Sequence, residues 1–189
     1  MLYQDWDILL TGKRIRITPM EKRDDEAYGR LMFGEHYDRF VEVPKDGSVT
    51  GIEKTLEHRA SDETHAIRQT GDDQFIGWIT LQRDNDGRPD IGISLTPENQ
   101  NKGIGPEAVC LFANRLYSEY GLQTIYVRIS EENIQSQKAF AKLGAVLDKE
   151  EPNYIFTSLA RELPEDHPDR QNIPNLRFYH IPLPIRFHE

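Results

Sequence analysis

A chain of 189 residues with 37% hydrophobic and 29% charged residues has the balance of one soluble domain with an adequate core, read here as a single domain over residues 1–189. Its net charge of −9 argues against gripping a nucleic-acid backbone, and no apolar run approaches the roughly 20 residues that a membrane helix needs. The opening residues lack the basic-then-apolar pattern of a secretory signal, so a cytoplasmic location is expected, and the one cysteine, Cys110, excludes an internal disulfide or thiolate metal site and reads as helix filler.

Alternating apolar positions in Arg14-Ile15-Arg16-Ile17-Thr18 predict a first strand that ends at Pro19. Asp24 and Asp25 suit the first turn of a helix whose Ala27, Tyr28, Leu31 and Met32 recur at helical spacing before Gly34. A second helix is expected from about Val49 to Ala60. The turn signals Thr70-Gly71-Asp72-Asp73 and Asp84-Asn85-Asp86-Gly87 separate three strands, His65 to Gln69, Phe75 to Leu81 and Asp90 to Leu95, as an antiparallel meander. A helix from Ile104 to Tyr120 follows, with Val109, Phe112 and Leu116 on one face and Gly121 as its stop. Thr124 to Ile129 is a strand and Asn133 to Leu143 a helix ending at Gly144. Two more strands are expected near Tyr154 to Leu159 and Leu176 to Ile181. The order β-α-α-β-β-β-α-β-α-β-β defines an α/β fold with a mixed sheet, its core at about residues 13–159, and a loop and last strand over 160–189.

Gln100-Asn101-Lys102-Gly103-Ile104-Gly105 runs directly into the helix at Ile104. Such a turn leaves backbone N–H groups unpaired, with the positive end of the helix dipole behind them, which suits a pyrophosphate. Gly103 and Gly105 let the backbone approach the anion, Lys102 adds a cation at the rim, and Pro106 is tolerated in a first helical turn. Downstream, Asn133, Ser136 and Phe140 are spaced by three and four residues, so one helix face carries an amide, a hydroxyl and a ring. Asn133 as a helix cap and Phe140 as core are readings compatible with that role.

These two motifs together resemble the GNAT superfamily of N-acetyltransferases. Gln100, Gly103 and Gly105 match its Gln/Arg-x-x-Gly-x-Gly/Ala coenzyme A motif, and Asn133 to Gly144 looks like its later helix beside the pantetheine arm. The strand Asp90-Ile91-Gly92-Ile93-Ser94-Leu95 and the opening Leu10 to Met20 resemble the RimJ/RimL-like branch, which acetylates protein N-termini and also includes small-molecule acetyltransferases. The resemblance, over roughly Lys13 to Val146, implies the GNAT acyl-CoA fold and acetyl-CoA as co-substrate with no metal. The partners it implies are a protein N-terminus or small amine, and it leaves room for a homodimer. Gly92 within a strand suggests a bulge or a close backbone approach; in the superfamily this strand bulges and splays from the next to hold the pantetheine, with a backbone N–H on Ile93, Ser94 or Leu95 meeting the thioester oxygen. The implied cofactor-binding set is Ile93, Ser94, Leu95, Gln100, Asn101, Lys102, Gly103, Ile104, Gly105, Asn133, Ser136 and Phe140.

Many relatives protonate the departing thiolate with a tyrosine at the position of Phe140, which has no proton to give. Ser136 lies one turn earlier on the same face. The resemblance to RimL-like relatives, in which a serine of this motif is the proposed acid, makes it the first candidate acid, ahead of Tyr154 and Tyr126, with a packed helix serine as the alternative. Asp90 stands where relatives carry a glutamate and is the candidate general base, with Glu131, Glu132, Glu150 and Glu151 as alternatives that also read as solvated surface. The segment Arg161 to Pro174 is a candidate cover for the acceptor mouth. A competing dinucleotide reading of Gly103-Ile-Gly105-Pro-Glu-Ala108 fails because seven residues separate Leu95 from Gly103, whereas that turn follows its strand directly. A non-catalytic acyl-CoA sensor is the second alternative, separable by turnover.

Overall fold

The computed structural model describes residues 9–33, 63–83, 86–153 and 174–186. Among them, strands β1 (Leu10–Thr11), β2 (Ile15–Pro19), β3 (Glu63–Gln69), β4 (Phe75–Arg83), β5 (Pro89–Leu95), β6 (Thr124–Ser130), β7 (Val146–Pro152) and β8 (Asn175–Pro182) alternate with helices α1 (Asp25–Phe33), α2 (Ile104–Tyr120) and α3 (Ile134–Ala141). The expected helix at 49–60, the strand at 154–159 and Tyr154 lie outside the described residues, as does the Arg161 to Pro174 segment apart from Pro174.

The sheet order is β1-β2-β3-β4-β5-β6-β8-β7, and neighbours are antiparallel except for β5 and β6, which run parallel. The meander forms because each turn supplies what its geometry needs: Asp73 sits at φ 60° and Gly87 at φ 76°, conformations that Asp, Asn and Gly tolerate best. Alternation does the rest. In β2 and β6 every second residue is buried, and Ile15, Ile17, Ile125, Val127 and Ile129 point to the face on which Val109, Phe112 and Leu116 of α2 pack. Each such buried side chain contributes about 1.5–3 kcal/mol. Gly121 ends α2 at φ 67° with its N–H on Leu116 and Tyr117 oxygens, as its position predicts.

β7 departs from expectation. Its seven residues, Val-Leu-Asp-Lys-Glu-Glu-Pro, are all exposed, so no burial pattern marks it. It exists because β8 offers an open edge, with a register shift between Leu147 and Lys149. Glu150 accepts from Arg177 Nε at 2.7 Å and from Asn175 Nδ2 at 2.9 Å, and these bonds hold its carboxyl below the ordinary range.

Gly92 carries no bulge in the β4–β5 ladder, whose register is continuous from Gly77↔Leu95 to Arg83↔Pro89. It is instead the close approach that a strand glycine also signals: a Cβ there would lie 3.0 Å from Thr80 and 3.3 Å from the Trp78 ring. The bulge falls one strand away, between β3 and β4 at Ile67/Arg68.

Candidate active site

β5 and β6 pair at a single position, Asp90↔Tyr126, and diverge beyond it toward the end of β5 that carries Ile93 to Leu95. Thr96 N–H bonds to Ile76 O at 2.9 Å, so its direction is toward β4. Because N–H directions alternate along a strand, those of Ile93 and Leu95 turn toward the gap. The Leu95 carbonyl on that same side accepts from Gln100 Nε2 at 3.0 Å. Gln100 thus covers the carbonyl at the mouth of the gap and leaves donors facing it.

The loop that follows is shaped by Asn101 at φ 60° and Gly103 at φ 76°. Behind it stands Arg14, at the entry to β2. Its guanidinium donates to the Lys102 carbonyl at 2.6 Å, to the Gly103 carbonyl at 3.2 Å and, through Nε, to Glu107 Oε2 at 2.7 Å. The Arg14 backbone N–H donates to Glu107 Oε1 at 3.0 Å. A Cβ on Gly103 would lie 3.2 Å from that guanidinium, so a side chain at this position would be strained and crowded. The first turn of α2 adds the N–H groups of Ile104 and Gly105, which have no intrahelical acceptor.

α3 forms the opposite wall. Asn133 caps it by accepting from Ser136 N–H at 3.0 Å, and Phe140, 8% exposed, joins the core. A cavity of about 420 Å³ lies between the gap, the loop and this helix. Of the residues the sequence nominates for the cofactor, Ile93, Ser94, Leu95, Gln100, Asn101, Gly103, Gly105, Asn133, Ser136 and Phe140 line it together. Two do not: Lys102 is exposed at the rim and Ile104, 7% exposed, belongs to the core. Gln135 and Lys138 of α3 and Lys142 at its C-terminal cap also line the cavity, and the sequence reading passed over them. The two lysines are four apart on the motif-bearing helix, a spacing that puts them on one face. Arg14 and Glu107 were missed as well, because nothing in local sequence couples residues 93 positions apart.

Asp90 is not among the cavity residues. It is 4% exposed, and its oxygens accept from Arg128 Nε at 3.1 Å and Nη2 at 3.2 Å. Tyr126 has the Arg88 guanidinium 4.9 Å from its ring centroid. Glu131 accepts from Asn175 N–H at 2.7 Å and Glu150 holds Arg177, so these two carboxylates tie β8 to its neighbours; Glu151 pairs with Lys149 of its own strand at 2.9 Å, and Glu132 is exposed. At the start of the loop, the Glu98 carboxyl is held below the ordinary range by bonds from its own backbone N–H and from Thr96, with Lys102 adding to the effect. Among the described residues no helix is long and apolar enough to cross a membrane.

A parallel strand pair bridged at one position, a left-handed glycine turn and a helix N-terminus meet at this cavity, which is the candidate site. Residues 14–146 match the family model for the acetyltransferase (GNAT) domain, and the chain belongs to that family. It is 25% identical over 103 residues to the uncharacterized N-acetyltransferase YjdG of Bacillus subtilis (strain 168), a match covering 47% of this chain and 61% of that protein. The fold is similar to that of a GNAT-family acetyltransferase from Bacillus anthracis, with TM-score 0.66 and 18% identity over 93% of this chain and 98% of the other. It is also similar to Mycobacterium smegmatis RimJ in complex with CoA-disulfide, with TM-score 0.65 and 16% identity over 94% of this chain and 88% of that one.

Proposed function

We propose that the chain transfers an acetyl group from acetyl-CoA to a primary amine, by direct attack of the amine on the thioester. The observation that carries this reading is the gap between β5 and β6, with Ile93 and Leu95 N–H groups turned into it beside the loop and α3. The fit to coenzyme A is structural: the turn at Gly103 holds a left-handed backbone, φ 76°, and free amide donors and two lysines share one cavity. Acetyl-CoA supplies the acyl group as a thioester.

The protein's own groups divide the remaining work. The loop and the first turn of α2 hold the pyrophosphate, with Lys138 and Lys142 supplying cationic charge to the phosphates. The N–H of Ile93 or Leu95 meets the negative charge that develops on the carbonyl oxygen, at no cost of reorganisation. Ser136 gives a proton to the departing thiolate. Its hydroxyl is available for this because the Asn133 cap engages its backbone N–H and not its side chain. Asp90 is assigned the role of anchor for the point where the strands part, since Arg128 engages both of its oxygens. The amine then loses its proton to solvent.

The amine approaches over the α1 face of the sheet. Tyr28 and Trp78 pack there edge to face with centroids 6.0 Å apart. A RimJ-like reading favours a protein N-terminus, with small amines as the alternative. An acetyl-CoA turnover screen over peptide N-termini and small amines tests it. Release of free thiol with a peptide is the expected result; tight binding with no turnover on any amine would make the chain a sensor.

A further inference from the structure

We propose that Arg14 is a positioning residue for the phosphate loop, acting through two carbonyls and one carboxylate; this rests on the acetyl-CoA reading above. A peptide unit is planar and trans, so its C=O and N–H point in opposite directions. Arg14 holds the carbonyls of Lys102 and Gly103 on one side of the loop, at 2.6 and 3.2 Å. The N–H groups of Gly103 and Ile104, which belong to those same two peptide units, are thereby turned to the other side, where Gly103 lines the cavity.

Glu107 makes the clamp necessary. It sits in the first turn of α2 and is 8% exposed, so a bare carboxylate would repel a phosphate arriving at the same helix end. Arg14 offsets that charge twice, through its Nε at 2.7 Å and its backbone N–H at 3.0 Å. Gly12 completes the fit: a Cβ there would lie 2.5 Å from Glu107 Oε1 and 2.7 Å from Leu111. The β1–β2 turn therefore closes against the carboxylate with no side chain between.

The test compares acetyl-CoA with S-acetylpantetheine, which has the thioester and no pyrophosphate, on wild type, Arg14→Met, Arg14→Lys and Glu107→Gln. Losing charge-assisted bonds to the loop predicts a fall of about tenfold or more in kcat/KM for acetyl-CoA in Arg14→Met, carried by KM. S-acetylpantetheine should change by less than about twofold, because no phosphate contact is at stake. Arg14→Lys keeps the charge without the fork and should fall between wild type and Arg14→Met. Glu107→Gln keeps an acceptor for only one of the two Arg14 donors, so KM for acetyl-CoA should rise, by less than in Arg14→Met, again with S-acetylpantetheine spared. Equal losses on both donors, or an unchanged KM in Arg14→Met, would overturn the proposal. If Arg14→Met does not fold, the same two-donor comparison on Arg14→Lys decides it. A wild type that neither binds coenzyme A nor turns over acetyl-CoA would instead sink the functional reading on which the proposal stands.

Discussion

Asp90 of β5 and Arg128 of β6 meet through two hydrogen bonds, at 3.1 and 3.2 Å, at the one place where their strands are in register. The pair closes the vertex of the gap in which the acyl group is to be held. Arg128→Met removes two charge-assisted bonds from a buried carboxylate and should cost about 1.5–3 kcal/mol of stability, read by chemical denaturation. Asp90→Asn should retain the shape of the pH–rate profile; loss of its rising limb would return Asp90 to the role of base.

Ser136→Ala removes a hydroxyl and leaves the helix cap intact, since the cap uses the backbone N–H of residue 136. If the hydroxyl protonates the thiolate, kcat falls by roughly 10²-fold with KM for acetyl-CoA unchanged. A kcat equal to wild type would make Ser136 a packed helix residue.

Asp24 and Arg68 form a second buried pair, each side chain 2% exposed and 2.6 Å apart. Arg68 Nε also donates to Thr18 Oγ1 at 2.9 Å, and Asp24 accepts from Glu21 N–H at 2.8 Å, so the pair joins the entry of α1 to β2 and β3. Asp24→Asn leaves Arg68 with Glu21 at 3.4 Å and should destabilise by about 1.5–3 kcal/mol, and Asp24→Leu combined with Arg68→Met by less, because no buried charge is left. Thermal melts of the two variants check this.

Asp73 at the β3–β4 turn receives hydrogen bonds from Arg16 and Arg23, and its carboxyl is held below the ordinary range, first by the Arg23 bond. A folded-state value below the unfolded one means that stabilisation is fully present above the ordinary carboxylate range and is lost as pH falls through the lower folded value. The difference in urea midpoint between wild type and Asp73→Asn should therefore persist at neutral pH and vanish in acid. The effect is small, because the site is solvent-screened.

Lys138→Ala with Lys142→Ala should weaken coenzyme A binding several-fold and flatten its dependence on ionic strength, since two cavity-lining cations are removed. Titration calorimetry at low and high salt reads both effects.

The meander, α2 and α3 were legible because each is local: turn residues, a period of two or of 3.6, and a glycine stop lie within one short window. The two motifs were legible for the same reason, and seven of the residues nominated from them converge with Ile93, Ser94 and Leu95 on one cavity. β7 was illegible, because an all-exposed strand carries no apolar alternation and is made by the edge of β8. At Gly92 the residue type allowed either a bulge or a close approach, and only the placement of Trp78 and Thr80 on the neighbouring strand decided between them.

By itself the sequence determined that a glycine turn at Gly103 feeds a helix and that Asn133, Ser136 and Phe140 share a face, since backbone conformation and helical spacing are properties of neighbours. Tertiary structure alone decided that Arg14 stands behind that turn with Glu107, and that Asp90 is spoken for by Arg128. Charge pairs form wherever the sheet brings opposite charges within hydrogen-bond reach, and partners separated by 93 and 38 positions leave no local pattern to be read.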